Sequence, residues 1–160
     1  MEHLDLPALD HDENTIVGRE VLEVEPLSDG GYRLLHSPAF VWGIAGGDVI
    51  DLVPSNLAGF RVRSRAGNVA VVLALDEETP KDSRIAQHLI ADVAGLSGVY
   101  EGGPGKSMVF TIPVRAGFPQ IEAVFNSFTT ECSGATWWFG NVFDRHDRPL
   151  GWWEERSSDG

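Results

Sequence analysis

Residues 68–75 read NVAVVLAL, an apolar run that opens on a single polar side chain. A run of this length without polar alternation is typical of a strand that is buried on both faces of a sheet. Directly after it, Thr79-Pro80 supplies a capping hydroxyl and a proline at the first helical position, and apolar residues then recur at helical spacing up to Gly95. The sequence therefore predicts a central strand over 68–75 and a helix over 80–94.

The chain after this helix continues the alternation of strands and helices. The patterns predict strands over 96–101 and 106–114, a helix from Phe118-Pro119 to residues 133–134, and a last strand over 135–143. This β-α-β-β-α-β order over residues 67–143 is that of a ferredoxin-like unit, in which the first and third strands are central. Both helices would cover one face of the sheet, so the other face needs a cover.

The preceding residues 18–66 predict a small antiparallel β barrel or sheet. Short strands are separated by glycine, proline and asparagine turns, the clearest being the Ser28-Asp29-Gly30-Gly31 turn. We expect an α+β fold in which this small β unit packs on the ferredoxin-like unit, with the change near Ala66-Gly67. Residues 1–17 are acidic and lack a sustained apolar period, which predicts a flexible or loosely docked leader, and residues 144–160 form a tryptophan-rich acidic tail.

The formal net charge of -12 is the main compositional signal. It disfavours nucleic acid and anionic membranes as partners and favours a basic protein, although it also serves solubility. Nine of the acids lie in residues 1–29, where Arg19 is the only basic residue. Cys132 is the only cysteine, and no run reaches the roughly 18 apolar residues of a membrane span, so we expect a cytoplasmic protein.

Two neighbouring stretches resemble a known family. Residues 21–35 read VLEVEPLSDGGYRLL, and residues 37–50 read SPAFVWGIAGGDVI. They resemble the start of a bacterial family catalogued as domain of unknown function 4265, and the resemblance extends over residues 20–142. It implies a bacterial source and a two-part architecture, and it carries no activity and no functional residues. The segment Leu150–Glu155 is not a feature of that family and leaves room for a specialised role.

No combination of residues predicts catalysis, a metal site or a cofactor. The five histidines show no paired spacing, and His36 beside Ser37 lacks an evident base and orienting group. The glycine-rich stretch 102–107 precedes a strand, whereas a phosphate-binding loop precedes a helix. We therefore expect a protein that is not an enzyme.

Tryptophans and acids near the end of the chain are the candidate partner-binding residues. Tryptophan is enriched in binding hot spots, and neighbouring carboxylates add electrostatic steering. Trp152 and Trp153 can instead attach the tail to the protein's own surface, and Asp76, Glu77 and Glu78 can instead be a solvated loop that favours the helix start or a group that holds a divalent cation. The candidates are Trp137, Trp138, Trp152, Trp153, Glu154, Glu155, Asp76, Glu77 and Glu78.

Two functions fit these observations. The first is an acidic binding protein, such as a bacterial immunity protein or antitoxin, that neutralises a basic, nuclease-like toxin. The second is a small-molecule or peptide-sensing module with a pocket between the two units, lined by Trp42, Tyr100 and Phe110.

Overall fold

Two antiparallel sheets of different size make up most of the chain. The computed structural model describes residues 2–10, 12 and 14–154. Within these residues the chain forms a five-stranded sheet, a four-stranded sheet, two α-helices and one short 3₁₀ helix, Val114–Ala116. None of the described helices has the length and apolar character needed to cross a membrane.

The first unit is a meander in which each strand pairs with the next along the chain. The sheet is open, with the first and last strands at its edges, so of the two predicted alternatives the structure has a sheet and not a closed barrel. Gly30, at φ +97°, allows the tight turn between the second and third strands. The strands are β1 Glu2–Leu9, β2 Ile16–Pro26, β3 Tyr32–Leu34, β4 Val49–Leu52 and β5 Phe60–Ser64.

Within the leader predicted at residues 1–17, residues 2–9 form the strand β1, which pairs with β2 along its whole length. Leu4, Leu6 and Ala8 alternate along this strand, and Leu6 and Ala8 are buried. This two-residue period is the mark of a half-buried strand, and the acids between the apolar residues hide it. Pro7 is compatible with the assignment because β1 is an edge strand.

The second unit follows after residue 67. Its sheet has the order β7-β8-β6-β9, so the strands predicted to be central, β6 and β8, lie at the centre. All of its strand pairs are antiparallel. The elements are β6 Asn68–Ala74, α1 Arg84–Gly95, β7 Val99–Gly102, β8 Ser107–Pro113, α2 Phe118–Glu131 and β9 Thr136–Phe139.

The prediction that the strand at 68–75 is buried on both faces is confirmed. Val71 and Leu73 lie in the main core with Phe110 and Phe125, against the helices. Val72, which points to the opposite face, is 1% exposed.

Three boundaries predicted in the second unit are wrong by three or four residues. β7 begins at Val99 instead of residue 96. α1 begins at Arg84 instead of residue 80, because the Oγ of Ser83 caps it by accepting a hydrogen bond from Ala86 N at 3.3 Å. β9 ends at Phe139 instead of residue 143. Beyond it, Gly140 N donates to Ala70 O, and the Oδ1 of Asn141 accepts from Ala70 N.

Candidate functional site

The segment between β3 and β4, residues 35–48, belongs to the first unit, contacts the second unit and carries two exposed aromatic side chains. We call it the linking segment. The carboxylate of Glu20, on β2, accepts hydrogen bonds from three successive backbone N–H groups, those of Ala39, Phe40 and Val41, at 2.8, 2.9 and 3.0 Å. A carboxylate bound by several amides fixes the local backbone firmly. Glu20 thus determines the path of the chain into Trp42.

On the other side of Trp42 the chain is held by the second unit. Gly43 N donates to Gly140 O at 2.8 Å, and the Nη1 of Arg65 donates to Gly43 O at 2.6 Å. Gly43 has φ +88°, a conformation that favours glycine. These contacts place Trp42 beside the end of β9, next to Trp138.

Trp42 and Trp138 line a concave site that we call the aromatic cleft. The cavity has a volume of about 140 Å³. Four aromatic residues, three aspartates and one arginine line it, and they come from both units. The lining residues are Asp10, Trp42, Trp138, Phe139, Phe143, Asp144, Arg145 and Asp147.

A second concavity continues from the aromatic cleft past the same two tryptophans. This adjoining groove has a volume of about 390 Å³ and is lined mainly by apolar groups. Phe40 is 46% exposed there and Val17 is 65% exposed. An apolar surface of this kind, rimmed by charges, is typical of a binding site. The lining residues are Ala8, Leu9, Val17, Gly18, Arg19, Ala39, Phe40, Trp42 and Trp138.

The rim of the cleft is formed by a tight loop after β9. Phe143 and Pro149 form an isolated β-bridge, and the Oδ1 of Asp144 accepts from His146 N at 2.8 Å and Arg148 N at 3.0 Å. These backbone donors hold the pKa of Asp144 below its usual value, so the carboxylate is ionised at neutral pH. Across the rim, the Nη1 of Arg145 reaches the carbonyl of Asp12 at 3.3 Å, so both units form the mouth.

The tail tryptophans, Trp152 and Trp153, pack against the rest of the protein. Trp152 is 7% exposed, and its Nε1 donates to Asn141 O at 2.9 Å. The guanidinium of Arg65 lies 5.6 Å from its ring centroid. Trp153 packs on Phe118 with ring centroids 5.0 Å apart. They attach the chain end to the core, as in the alternative interpretation; Glu154 is exposed, and Glu155 lies outside the described residues.

Trp137 and Trp138 lie on opposite faces of β9. Trp137 packs against Phe125 and Phe139 at centroid distances of 5.5 and 5.0 Å, and its Nε1 donates to the Oδ1 of Asn126 at 3.0 Å. Trp137 therefore belongs to the core, and Trp138 is the predicted tryptophan that lines the cleft.

The alternative pocket of Trp42, Tyr100 and Phe110 is not formed. Tyr100 and Phe110 pack together at 5.3 Å, and Phe110 is fully buried in the main core. Phe110 shares the helix-covered face of β8 with Met108 and Ile112, because side chains two residues apart lie on the same face. Trp42 lies elsewhere, at the aromatic cleft.

The acidic triplet is also separate from the cleft. Asp76 lies beside Gly134, before β9, and accepts from Glu78 N at 3.0 Å, whereas the cleft lies at the far end of β9. Glu77 and Glu78 are exposed. Throughout the described ranges, no three His, Cys, Asp or Glu side chains converge as metal ligands.

His36 and Ser37 take part in a polar contact between the units. The ring of His36 lies 3.3 Å from carboxylate oxygens of both Glu23 and Glu101. The Oγ of Ser37 instead bonds the Oγ1 of Thr111 at 2.6 Å and accepts from Gly46 N. Ser37 is buried, so this arrangement joins the units and leaves no accessible nucleophile beside the imidazole.

Many acids of the first unit are paired. Arg19 binds Asp5 at 3.0 Å, Arg33 binds Glu25 at 2.6 Å, and Arg63 binds Asp29 at 2.7 Å as well as Asp51. The acidic N-terminal segment is therefore partly neutralised by arginines from β2, β3 and β5.

Six residues of the cleft lie outside the sequence predictions: Asp10 near the N-terminus, and five within residues 139–147, at the end of β9 and in the loop after it. Asp10, Phe143, Asp144, Arg145 and Asp147 show no motif, and only the fold brings them to Trp42 and Trp138. Phe143 is the single residue whose local sequence could have indicated the cleft. It lies next to a polar turn and follows a strand whose aromatic residues already fill the core, and in the structure it is exposed.

Comparisons with known proteins identify a family and a fold. The family model described as Domain of unknown function (DUF4265) matches residues 20–136, which confirms the resemblance and ends it earlier than residue 142. A solved structure, a hypothetical protein from Neisseria gonorrhoeae, has a TM-score of 0.67 and 16% sequence identity. It covers 87% of this chain and 93% of its own, and shows the fold alone. No curated protein matches the chain.

Proposed function

The chain belongs to the family Domain of unknown function (DUF4265), and we propose that it is a non-enzymatic acidic binding protein whose partner is a basic protein. The observation that carries the proposal is the aromatic cleft with its rim of Asp10, Asp144 and Asp147. Aromatic rings that line a concave site supply buried contact area, and carboxylates at the rim attract a cationic surface.

The overall charge favours the same class of partner. At -12 the molecule repels polyanions and attracts basic proteins over several ångströms, most strongly in low salt. A nuclease-like toxin has a cationic substrate cleft, and an acidic inhibitor can occupy it. A bacterial immunity protein or antitoxin in the cytoplasm is accordingly the specific role we propose.

A second candidate, a small-molecule or peptide-sensing module, is favoured by the adjoining groove. Its volume of about 390 Å³ falls within the range of about 300–1,000 Å³ that holds drug-sized ligands. The pocket would lie between the units, at Phe40, Trp42 and Trp138, and not at Tyr100 and Phe110.

The experiment that tests the proposal is affinity capture followed by a binding measurement with purified components. The tagged full chain is incubated with a lysate of its source organism in low salt and eluted in high salt, and each captured protein is purified and titrated calorimetrically. We expect a basic protein whose affinity falls as salt rises. Recovery of no protein whose purified form binds would contradict the proposal, and a small molecule that co-purifies would favour sensing.

A matched pair of variants locates the binding surface. Phe40→Ser removes an exposed ring from the adjoining groove, whereas Leu57→Ser removes a similarly exposed apolar side chain from the turn between β4 and β5. We expect Phe40→Ser to weaken partner binding about tenfold, in the range of interface hot spots, and Leu57→Ser to leave it unchanged. Equal effects of the two variants would place the interface elsewhere.

We also infer that the second unit has the ferredoxin-like arrangement. The β7-β8-β6-β9 order and the helix between β6 and β7 support it. In that arrangement both helical crossovers are right-handed, which an experimental structure would test directly.

A further inference from the structure

We propose that the aromatic cleft is a guanidinium site, which takes the end of an arginine side chain presented by the partner. This inference rests on the proposed function and names the chemical group that the partner inserts. Four features of the cleft support a guanidinium ligand: the size of the cavity, its aromatic lining, the state of its carboxylates and its connection to the adjoining groove.

The size of the cavity fits one side-chain end. Sites for drug-sized molecules have volumes of about 300–1,000 Å³. At about 140 Å³ the cleft lies well below that range, and it opens into the larger groove along Trp42 and Trp138. A ligand anchored in the cleft therefore extends into the groove, as a peptide segment of a partner does.

The aromatic lining favours a cation that can be desolvated. Trp42, Trp138 and Phe143 line the cleft, and Trp is the side chain that attracts cations most strongly through its ring face. A guanidinium is planar and more weakly hydrated than an ammonium, and it stacks on aromatic rings. An arginine end is for this reason a better fit than a lysine end.

Two carboxylates of the rim, those of Asp144 and Asp147, are available to a cation. Asp144 uses Oδ1 for the two backbone donors of its own loop, and its Oδ2 makes no hydrogen bond within the described ranges. The carboxylate of Asp147 likewise has no hydrogen-bond or ion-pair partner in the part of the chain that the structure describes. Each can accept from a guanidinium, which presents five N–H donors.

Arg145 is the one cation that lines the cleft. Its Nη1 donates to Asp12 O and its Nε to His146 Nε2, so its own donors point to the rim loops. The lining thus contains three aspartates and this one arginine. This gives the proposal an unusual test, because removing the charge of Arg145 should tighten the binding of a second cation.

The test uses a direct probe and does not require the partner. Nα-acetyl-arginine-N-methylamide is titrated into the full chain while the indole N–H signals of the five tryptophans are followed by NMR. The neutral citrulline analogue and the lysine analogue are titrated in parallel. We expect the arginine probe to shift the signals of Trp42 and Trp138 but not that of Trp137, with an affinity about tenfold above that of citrulline.

Charge variants complete the test. We expect Asp147→Asn to weaken the arginine probe about threefold to tenfold, and Arg145→Gln to tighten it by a similar factor. Asp76→Asn, which changes the net charge equally but lies at the opposite end of β9 from the cleft, should have no effect. Well-dispersed spectra of each variant show that it is folded.

Several outcomes would overturn the guanidinium site. They are equal binding of citrulline, equal or tighter binding of the lysine probe, and an Asp147→Asn effect no larger than that of Asp76→Asn. The two proposals can fail separately. If the arginine probe binds but no basic protein is recovered, the guanidinium site stands and the proposed function is contradicted. A basic partner that binds equally well to Trp42→Ala removes the site and leaves the function.

Discussion

Trp42 and Trp152 illustrate how the same residue type serves two purposes in this chain. Trp42 is 41% exposed at the aromatic cleft, whereas Trp152 is 7% exposed and has its indole N–H bonded to Asn141 O. The local sequence favours Trp152 as a binding residue because another tryptophan and two glutamates follow it. Its burial against Arg65 and Trp153 shows that it stabilises the fold instead.

At the residue scale we predict that truncating Trp152 mainly lowers stability, whereas truncating Trp42 mainly removes binding. Trp152→Ala should lower the free energy of unfolding by about 3 kcal/mol, since it leaves a cavity in the core. Trp42→Ala should lower it by less than about 1 kcal/mol, as for most exposed positions, and abolish the response to the arginine probe. Urea unfolding of both variants measures the first effect and the NMR titration the second. A large loss of stability for Trp42→Ala would contradict its assignment to the cleft surface.

A second residue-scale prediction concerns acid stability. Hydrogen bonds from Arg63 hold the pKa of Asp29 and the pKa of Asp51 below their usual value of 3.8. A carboxylate with a lowered pKa in the folded state contributes stability at higher pH, and that stability is lost as pH falls from 3.8 through the folded-state pKa. Arg63→Gln should therefore make the loss of stability in acid shallower than in the unmodified chain.

The measurement is the urea midpoint at pH 7 and at pH 2.5 for the unmodified chain, Arg63→Gln and Arg115→Gln. Arg115 is an exposed arginine of the 3₁₀ helix and serves as the matched control. Burial raises the pKa of Asp48, so its contribution to stability becomes more favourable as pH falls, which is the opposite of the Asp29 and Asp51 effect. This contribution is the same in all three proteins. Parallel acid losses in the unmodified chain and Arg63→Gln would contradict the role of Arg63.

At the element scale, the linking segment is the part of the molecule that gives the cleft its shape. It contains little regular structure, yet three side chains hold it: Glu20 on β2, Arg65 just after β5 and Thr111 on β8. Phe40 and Trp42 are thus presented from a fixed backbone, which lowers the entropy cost of binding.

Removal of the Glu20 carboxylate should loosen this segment. We predict that Glu20→Ala lowers the free energy of unfolding by about 2 kcal/mol, because three backbone donors lose a charged acceptor. Amide exchange of residues 39–41 should also accelerate. Glu25→Ala, which breaks an exposed ion pair with Arg33, should cost less than about 1 kcal/mol and leave exchange at 39–41 unchanged. Unchanged exchange in Glu20→Ala would contradict the role of Glu20.

The helices and strands could be predicted where the spacing of apolar residues within the element itself is regular. The uniform run at 68–75 and the helical spacing after Phe118 lead to β6 and α2 with small boundary errors. β1 was missed because acids and Pro7 separate the apolar residues that pair with β2. The start of α1 was misplaced because two plausible caps, Thr79 and Ser83, lie one turn apart.

At the scale of the whole molecule, only part of the net charge of -12 comes from carboxylates that are not already paired with arginines. Arginines of the first unit neutralise several of its acids, whereas the carboxylate of Asp147 at the cleft has no such partner among the described residues. We predict that association with the basic partner slows as salt rises from 50 to 500 mM, since the Debye screening length falls from about 14 Å to about 4 Å over this range. Stopped-flow association rates measure this, and a rate independent of salt would contradict electrostatic steering.

The cleft itself could not be predicted from the sequence. It combines Asp10 near the N-terminus, Trp42 in the linking segment, Trp138 on β9 and Asp147 in the last loop. No local pattern connects these residues, and the sequence indicated only that tryptophans and acids were in excess. Their meeting depends on how the two units pack.

The most direct test of the account is a crystal structure of the full chain with Nα-acetyl-arginine-N-methylamide at a saturating concentration set by the NMR titration. The account predicts the guanidinium in the aromatic cleft, in contact with Trp42 and Trp138 and hydrogen-bonded to the carboxylate of Asp144 or Asp147. An empty cleft in a crystal where it is open to solvent, with the probe bound elsewhere or nowhere, would contradict it.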